Sequence, residues 1–132
     1  MRLLSVAVIL PTFLTISRKK PGLANIETGI YKGTFQRSGL VNKISDVTLK
    51  FSSDSFEGQS QYIHYPDICK GAYSAGNGTA VFKNSCFYTA EFDWSYILSG
   101  KFTILNLGDS IIMTRSYNEP RLIYDTYKLR RQ

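Results

Sequence analysis

The chain has 132 residues, a formal charge of +6, and 43% hydrophobic and 14% aromatic residues. That length gives one domain, and the apolar content excludes a disordered chain. Taking away residues 1–24 removes Arg2, Arg18, Lys19 and Lys20 and leaves 12 basic against 10 acidic residues, so no nucleic-acid partner is expected.

From the N-terminus, Met1-Arg2 precedes a short apolar run over residues 3–16 that Pro11 interrupts. A single positive charge followed by a run too short to span a bilayer comfortably is the pattern of a secretory signal. Small residues for cleavage occur in Thr15-Ile16-Ser17 and Gly22-Leu23-Ala24. We read residues 1–24 as signal peptide and linker and 25–132 as a single exported domain, secreted or periplasmic. The alternatives are an uncleaved anchor over residues 3–16, with Arg18-Lys19-Lys20 on the cytoplasmic side, or a first buried strand.

A first strand is expected over 27–35, with Tyr31 and Phe35 on one face beside Gly29 and Gly33, where interior glycines imply a bend or the close approach of another backbone. Val47, Leu49 and Phe51 alternate with Asp46, Thr48 and Lys50, a half-buried strand. Ser52-Ser53-Asp54 turns the chain into a polar strand over 55–61, and 62–67 is a loop ended by Pro66.

The stretch 69–86 is the most informative. Asn77-Gly78 is the strongest two-residue hairpin signal, because a type I′ turn needs positive φ at both central positions. Facing residues must then sum to 155, and the two cysteines do, at 69 and 86. The register predicts a Cys69–Cys86 disulfide across a non-hydrogen-bonded pair, the closer kind. It also places Tyr73 opposite Phe82 on the buried face, with Lys70, Ser74, Lys83 and Ser85 in water. Asn77-Gly78-Thr79 also fits a glycosylation sequon.

Beyond Cys86, Phe92, Trp94, Tyr96 and Leu98 alternate with Asp93 and Ser95, which favours a strand; a single helical turn near 90–93 is the alternative. Ser99-Gly100 leads into 101–107, Gly108-Asp109 turns into 110–117, Asn118-Glu119-Pro120-Arg121 turns again, and 122–130 is the last strand. Both faces of these three strands carry apolar residues, so their inward faces are left open. Eight or nine short strands joined by tight turns predict an all-β antiparallel meander closed into a small barrel, with a β-sandwich as the alternative.

A meander that opens with Gly29-Ile30-Tyr31 and ends with Arg130 in its last strand resembles the calycin group of lipocalin-like barrels. In that group a Gly-x-Trp packs against an arginine near the chain's end and closes the barrel's base. The resemblance implies that Tyr31 takes the place of that Trp with Arg130 as its partner. The lipocalins' Thr-Asp-Tyr turn is absent, so the resemblance is one of architecture.

No nucleophile signature appears, and no enzyme activity or cofactor is expected. His64 with Asp67 offers too few ligands for a metal once the cysteines are joined, and reads as a loop histidine. Glu91 and Asp93 read as the polar side of a strand rather than a glycosidase pair. Trp94, Tyr96, Phe102 and His64 are the residues expected to touch a ligand, if one is bound. The expectation is an exported non-enzymatic barrel binding a small apolar ligand or a protein partner. The alternative is a protein inhibitor or surface-assembly module acting through its loops and residues 18–26. Membrane contact is expected only through an uncleaved N-terminus. A cavity lined by Trp94, Tyr96 and Phe102 favours the ligand, and a filled barrel favours the partner.

Overall fold

The computed structural model describes residues 26–39, 42–89, 91–117 and 122–132. The signal-and-linker reading of 1–24, the helical alternative at Ala90 and the turn at Asn118-Glu119-Pro120-Arg121 fall on or partly on residues outside this set.

Among the described residues the chain forms eight strands: β1 (Gly29–Arg37), β2 (Ile44–Phe51), β3 (Ser55–Ser60), β4 (Lys70–Gly76), β5 (Thr79–Asn84), β6 (Gly100–Asn106), β7 (Ser110–Tyr117) and β8 (Ile123–Arg131). Each pairs antiparallel with its neighbours in sequence, and β1 pairs with β8 to close the barrel. The expected all-β meander barrel is therefore the fold. Closure brings β1 and β8 so near that a Cβ on Gly33 would sit 1.7 Å from the Lys128 carbonyl oxygen, which is the close approach expected of a strand-interior glycine.

The hairpin register is as expected. Gly76 faces Thr79, Tyr73 faces Phe82 and Gly71 faces Asn84, with Asn77 at φ 54° and Gly78 at φ 77°. Cys69 and Cys86 are joined, at a Cα separation of 6.3 Å. That is wider than a close pair inside a ladder, because both lie just beyond their strands. Asn84 causes the exit: its side chain donates to the Cys86 carbonyl (2.9 Å) and accepts from the Cys86 amide (3.3 Å), turning the chain away after β5.

Alternation then fills the interior. Leu49, Phe51, Tyr31, Phe35, Tyr73, Phe82, Phe102, Ile111, Met113, Tyr127 and Leu129 are buried together. Aromatic rings cross the barrel in contact: Phe35 to Tyr127 at 4.8 Å, Tyr127 to Phe102 at 5.7 Å, Phe102 to Phe82 at 5.6 Å and Phe51 to Tyr31 at 5.4 Å between centroids. Such pairs add about 0.5–1.5 kcal/mol each beyond their buried area. The inward faces of the last three strands are Phe102 and Ile104, Ile111 and Met113, and Asp125, Tyr127 and Leu129.

Two expectations are corrected. Tyr31 is buried at the barrel's base, but its cross-strand partner is Arg131, whose Nη1 is 2.7 Å from Glu27 Oε2. Arg130 is one residue away in register and therefore points outward, which a period of two makes unavoidable. Residues 91–98 do not form a strand; they are irregular, with one 3₁₀ turn at Trp94–Tyr96. Asp93 starts that turn, its Oδ1 accepting from the Ser95 amide (3.0 Å) and hydroxyl (2.6 Å), a local cap that competes with extended pairing.

Two outcomes follow from this packing. Reduction of the purified protein under denaturing conditions is expected to add two hydrogens to the intact mass, and replacing both cysteines with alanine to lower stability by about 3 kcal/mol for a loop of this size; free thiols in the unreduced protein would contradict the bond. Burial raises the Tyr127 pKa well above its ordinary value, and burial raises those of Tyr31 and Tyr73 as well. A raised folded-state pKa favours the neutral phenol, so this stability is whole below about pH 10 and is lost as pH rises further, by up to about 1.4 kcal/mol per pH unit for each such group. Urea midpoints measured from pH 8 upward should fall beyond that point, and less steeply in Tyr127→Phe.

Candidate functional site

The barrel's two ends differ. At one, tight turns close β2–β3, β4–β5 and β6–β7; the last is a two-residue turn in which the Leu107 amide donates to the Ser110 carbonyl (2.8 Å) and Gly108 has φ 94°. The other end carries the connections 61–69 and 85–99, which the Cys69–Cys86 bond ties together. The two loops also pair directly. The Asp67 amide donates to the Tyr96 carbonyl (3.0 Å) and the Leu98 amide to the Asp67 carbonyl (2.9 Å), a parallel bridge that lays 92–98 along the His64 loop.

Beneath them the inward positions are charged. Asp125 on β8 faces Arg37 on β1 and Arg115 on β7, three neighbours in one row of the barrel wall. Asp125 is 1% exposed and Arg37 5%. Arg37 grips the carboxylate with both arms, Nε to Oδ1 at 2.6 Å and Nη2 to Oδ2 at 2.9 Å, while Arg115 Nη2 lies 3.7 Å from Oδ2. Burial works against the Arg37 cation, but the hydrogen bond and charge of Asp125 outweigh it and its pKa is raised.

The remaining guanidinium donors point at the 85–99 strap. Arg37 Nη1 donates to Ser95 Oγ (2.8 Å), and the Ser95 carbonyl accepts from Arg37 Nη2 (3.2 Å), Arg115 Nη2 (3.0 Å) and the Tyr117 hydroxyl (3.2 Å). Arg115 Nη1 also donates to the Ser99 carbonyl. The Tyr96 ring lies under the Arg37 guanidinium, 3.7 Å from Cζ to centroid. The strap is thus held by charge-assisted bonds to its backbone in addition to the single Asp67–Ile97 bridge.

Held this way, the two loops assemble an aromatic surface. His64 stacks on Phe92 at 3.9 Å between centroids, with the planes 10° apart, and its Nδ1 is 2.5 Å from Asp67 Oδ2. Tyr88 packs edge-on to Phe92 (5.6 Å) and lies 6.4 Å from Trp94. Its phenol is pushed up to about 12, by burial first and by the neighbouring Asp67 carboxylate second. Phe87 is 100% exposed, Ile63 86% and Trp94 56%. Asn84, Cys86, Phe87, Tyr88, Trp94, Ile97 and Ser99 line a groove of about 410 Å³.

Of the residues expected to touch a ligand, His64 and Trp94 come together with Phe92 on this surface. Tyr96 sits below it, stacked against Arg37, and Phe102 belongs to the packed interior, where Arg115 Cζ lies 4.4 Å from its ring centroid. Glu91 and Asp93 no longer share a strand face, since Asp93 caps the 3₁₀ turn. Among the described residues no three of His, Cys, Asp or Glu converge as metal ligands. With one imidazole face covered by Phe92 and Nδ1 on Asp67, His64 braces the loop.

Sequence reasoning missed Arg37, Arg115, Asp125 and Phe87. Arg37 alone carries a signal: it continues the inward parity of Tyr31 and Phe35, where a charge demands a partner, whereas the open inward faces of 110–117 and 122–130 hide Arg115 and Asp125. Phe87 carries none, because an aromatic in an irregular segment reads equally as core or surface. No protein-family model, curated protein or solved structure matches the chain.

Removing one member of the buried row tests its role. Asp125→Ala takes the bidentate anion from buried Arg37, leaving it only the exposed Asp93 carboxylate at 3.6 Å, and removes the carboxylate beside half-buried Arg115. It should cost about 3–5 kcal/mol, whereas Arg37→Met combined with Asp125→Leu should cost clearly less. Trp94 is the lone tryptophan and lies on the strap. Its emission should therefore change in Asp125→Ala under conditions where circular dichroism still reports the barrel.

Proposed function

We propose that this protein is an exported, non-enzymatic small barrel that binds a protein partner through the aromatic surface at its loop end. The observation that carries the reading is the pairing of a core of packed aromatic rings with Phe87 and Trp94 held exposed on one groove, while Ile63 stands exposed on the neighbouring His64 loop. Large apolar side chains displayed together, rimmed by polar groups, mark interaction sites, and Trp and Tyr recur as binding anchors. The disulfide, the Asp67–Ile97 bridge and the arginine bonds to Ser95 hold these anchors in place before binding, which lowers the ordering cost of association.

The disulfide supports an oxidising compartment, in line with the secretory pattern of the N-terminal sequence. The eight-strand meander supports kinship of architecture with the calycin group, whose small members include protein inhibitors acting through their loops; an inhibitor or surface-assembly role is one form of the same reading. A second reading is favoured by the groove itself, whose size suits a small apolar ligand.

Capture from the native envelope or medium, followed by mass spectrometry of proteins and lipids, tests both. The expected result is a protein retained by the parent and lost, by about thirtyfold in affinity or more, in Phe87→Ser combined with Trp94→Ala. A lipid released from the parent and absent from the variant would move the assignment to the ligand reading. A protein held equally by parent and variant would overturn the site.

A further inference from the structure

A second surface lies on the outer wall, toward the tight-turn end. Alternation leaves Lys32 on β1, Lys128 and Arg130 on β8, Ile112 on β7 and Leu105 on β6 pointing outward, since their strand neighbours fill the core. Pairing makes them adjacent. One row runs Leu107, Ser110, Arg130, Lys32 across β6, β7, β8 and β1; the next runs Leu105, Ile112, Lys128.

Lys32 and Arg130 are direct cross-strand partners, with Lys128 two residues along. Like charges directly opposite destabilise a sheet, so this arrangement costs the fold and gives it nothing in return. Among the described residues the only carboxylate reached by the three is Asp109, 4.0 Å from Arg130 Nη2, with both side chains largely in water. Beside the cations, Leu105 and Leu107 are each more than half exposed. Leu107 flanks the two-residue β6–β7 turn, next to Gly108 and Asp109 at its tip.

We propose that this face docks on an anionic lipid surface. The three cations take the headgroup phosphates, and Leu105 and Leu107 enter the boundary between headgroups and acyl chains, the combination of charge and apolar area that holds a protein at a membrane surface. Lysine and arginine stems are long enough to lie along apolar surface while their charges stay with the headgroups. The chain enters the barrel at the same end, through the buried Ile26. The leucines separate this assignment from a nucleic-acid face, which has no use for exposed aliphatic side chains beside its phosphate contacts.

The test is co-sedimentation of the full chain with vesicles of phosphatidylcholine alone and of equal parts phosphatidylcholine and phosphatidylglycerol, at low and at physiological salt. The parent should bind the anionic vesicles, more weakly as salt rises, and leave the zwitterionic ones. Combining Lys32→Gln, Lys128→Gln and Arg130→Gln should lower the partition by about a hundredfold. Leu105→Ser with Leu107→Ser should lower it at both salt concentrations. All five positions point outward, so both variants should keep the parent's circular dichroism, and the glutamine variant, relieved of its like-charge pair, should have a urea midpoint no lower than the parent's. Vesicle binding undiminished in either folded variant would overturn the proposal, the first case by placing the contact in residues 1–25. Preference of the parent for duplex DNA over anionic vesicles would overturn it too.

Discussion

The structure turns on a carboxylate set between two arginines inside a barrel. Asp125 is flanked on β1 and β7 by Arg37 and Arg115, and these three inward positions are charged where the rest of the buried wall, Ser45 apart, is aromatic or aliphatic. An ion pair of this kind is a poor source of net stability, because removing the charges from water costs about as much as their attraction returns. Its consequence is geometric. Two guanidinium groups present more donors than one carboxylate can accept, and the surplus is directed at the Ser95 and Ser99 carbonyls. Among its described residues the strap 85–99 has one bridge, at Ile97, so the arginines do much to fix where it lies and thereby where Trp94 and Phe92 stand.

The same arrangement divides the barrel into two regimes. Toward the base, interlocking rings and tight turns leave little freedom, and barrel closure presses β8 against β1 so closely that Gly33 must admit the Lys128 carbonyl. Toward the loops, polar groups replace rings as the contacts that decide position: Tyr65 accepts from the Arg37 amide (3.2 Å) and donates to the Lys43 carbonyl (2.8 Å), which ties the 61–69 loop to the same arginine. The disulfide then joins that loop to the strap. Each of the two long connections is anchored to the barrel and to the other, so exposed aromatics are displayed from a braced frame.

How much of this could be read from the sequence depended on whether local chemistry and tertiary contacts agreed. At Asn77-Gly78 they did, and one turn type set the register, the buried face and the cysteine pairing together. At Phe92, Trp94, Tyr96 and Leu98 they did not: the alternation is real, but Asp93 caps a turn with Ser95 and the arginines capture the backbone, so a period of two is present without a strand. The inward faces of β6 to β8 were illegible for a related reason. Leu105 and Ile112 point outward while Arg115 and Asp125 point inward, which inverts the usual rule at the places where the chain is specialised. The one-residue difference between Arg130 and Arg131 opposite Tyr31 separates an outward cation from one at the barrel's base, and only the β1–β8 register resolves it.

The two surfaces proposed here do not compete for the same part of the barrel. The aromatic surface belongs to the connections that follow β3 and β5, whereas Leu107, Arg130 and Lys32 lie where β6 ends, β8 ends and β1 begins. In an antiparallel meander those are opposite ends. A barrel resting on anionic lipid through the flank beside its tight turns therefore keeps Phe87, Ile63 and Trp94 toward the medium, and a partner bound there does not cover the cations. The rigidity of the interior matters for this, because a packed aromatic core keeps the distance and relative orientation of the two ends nearly constant. The buried arginine row extends that rigidity across the last layer, from the strands to the strap, and so makes the loop end a fixed part of the barrel.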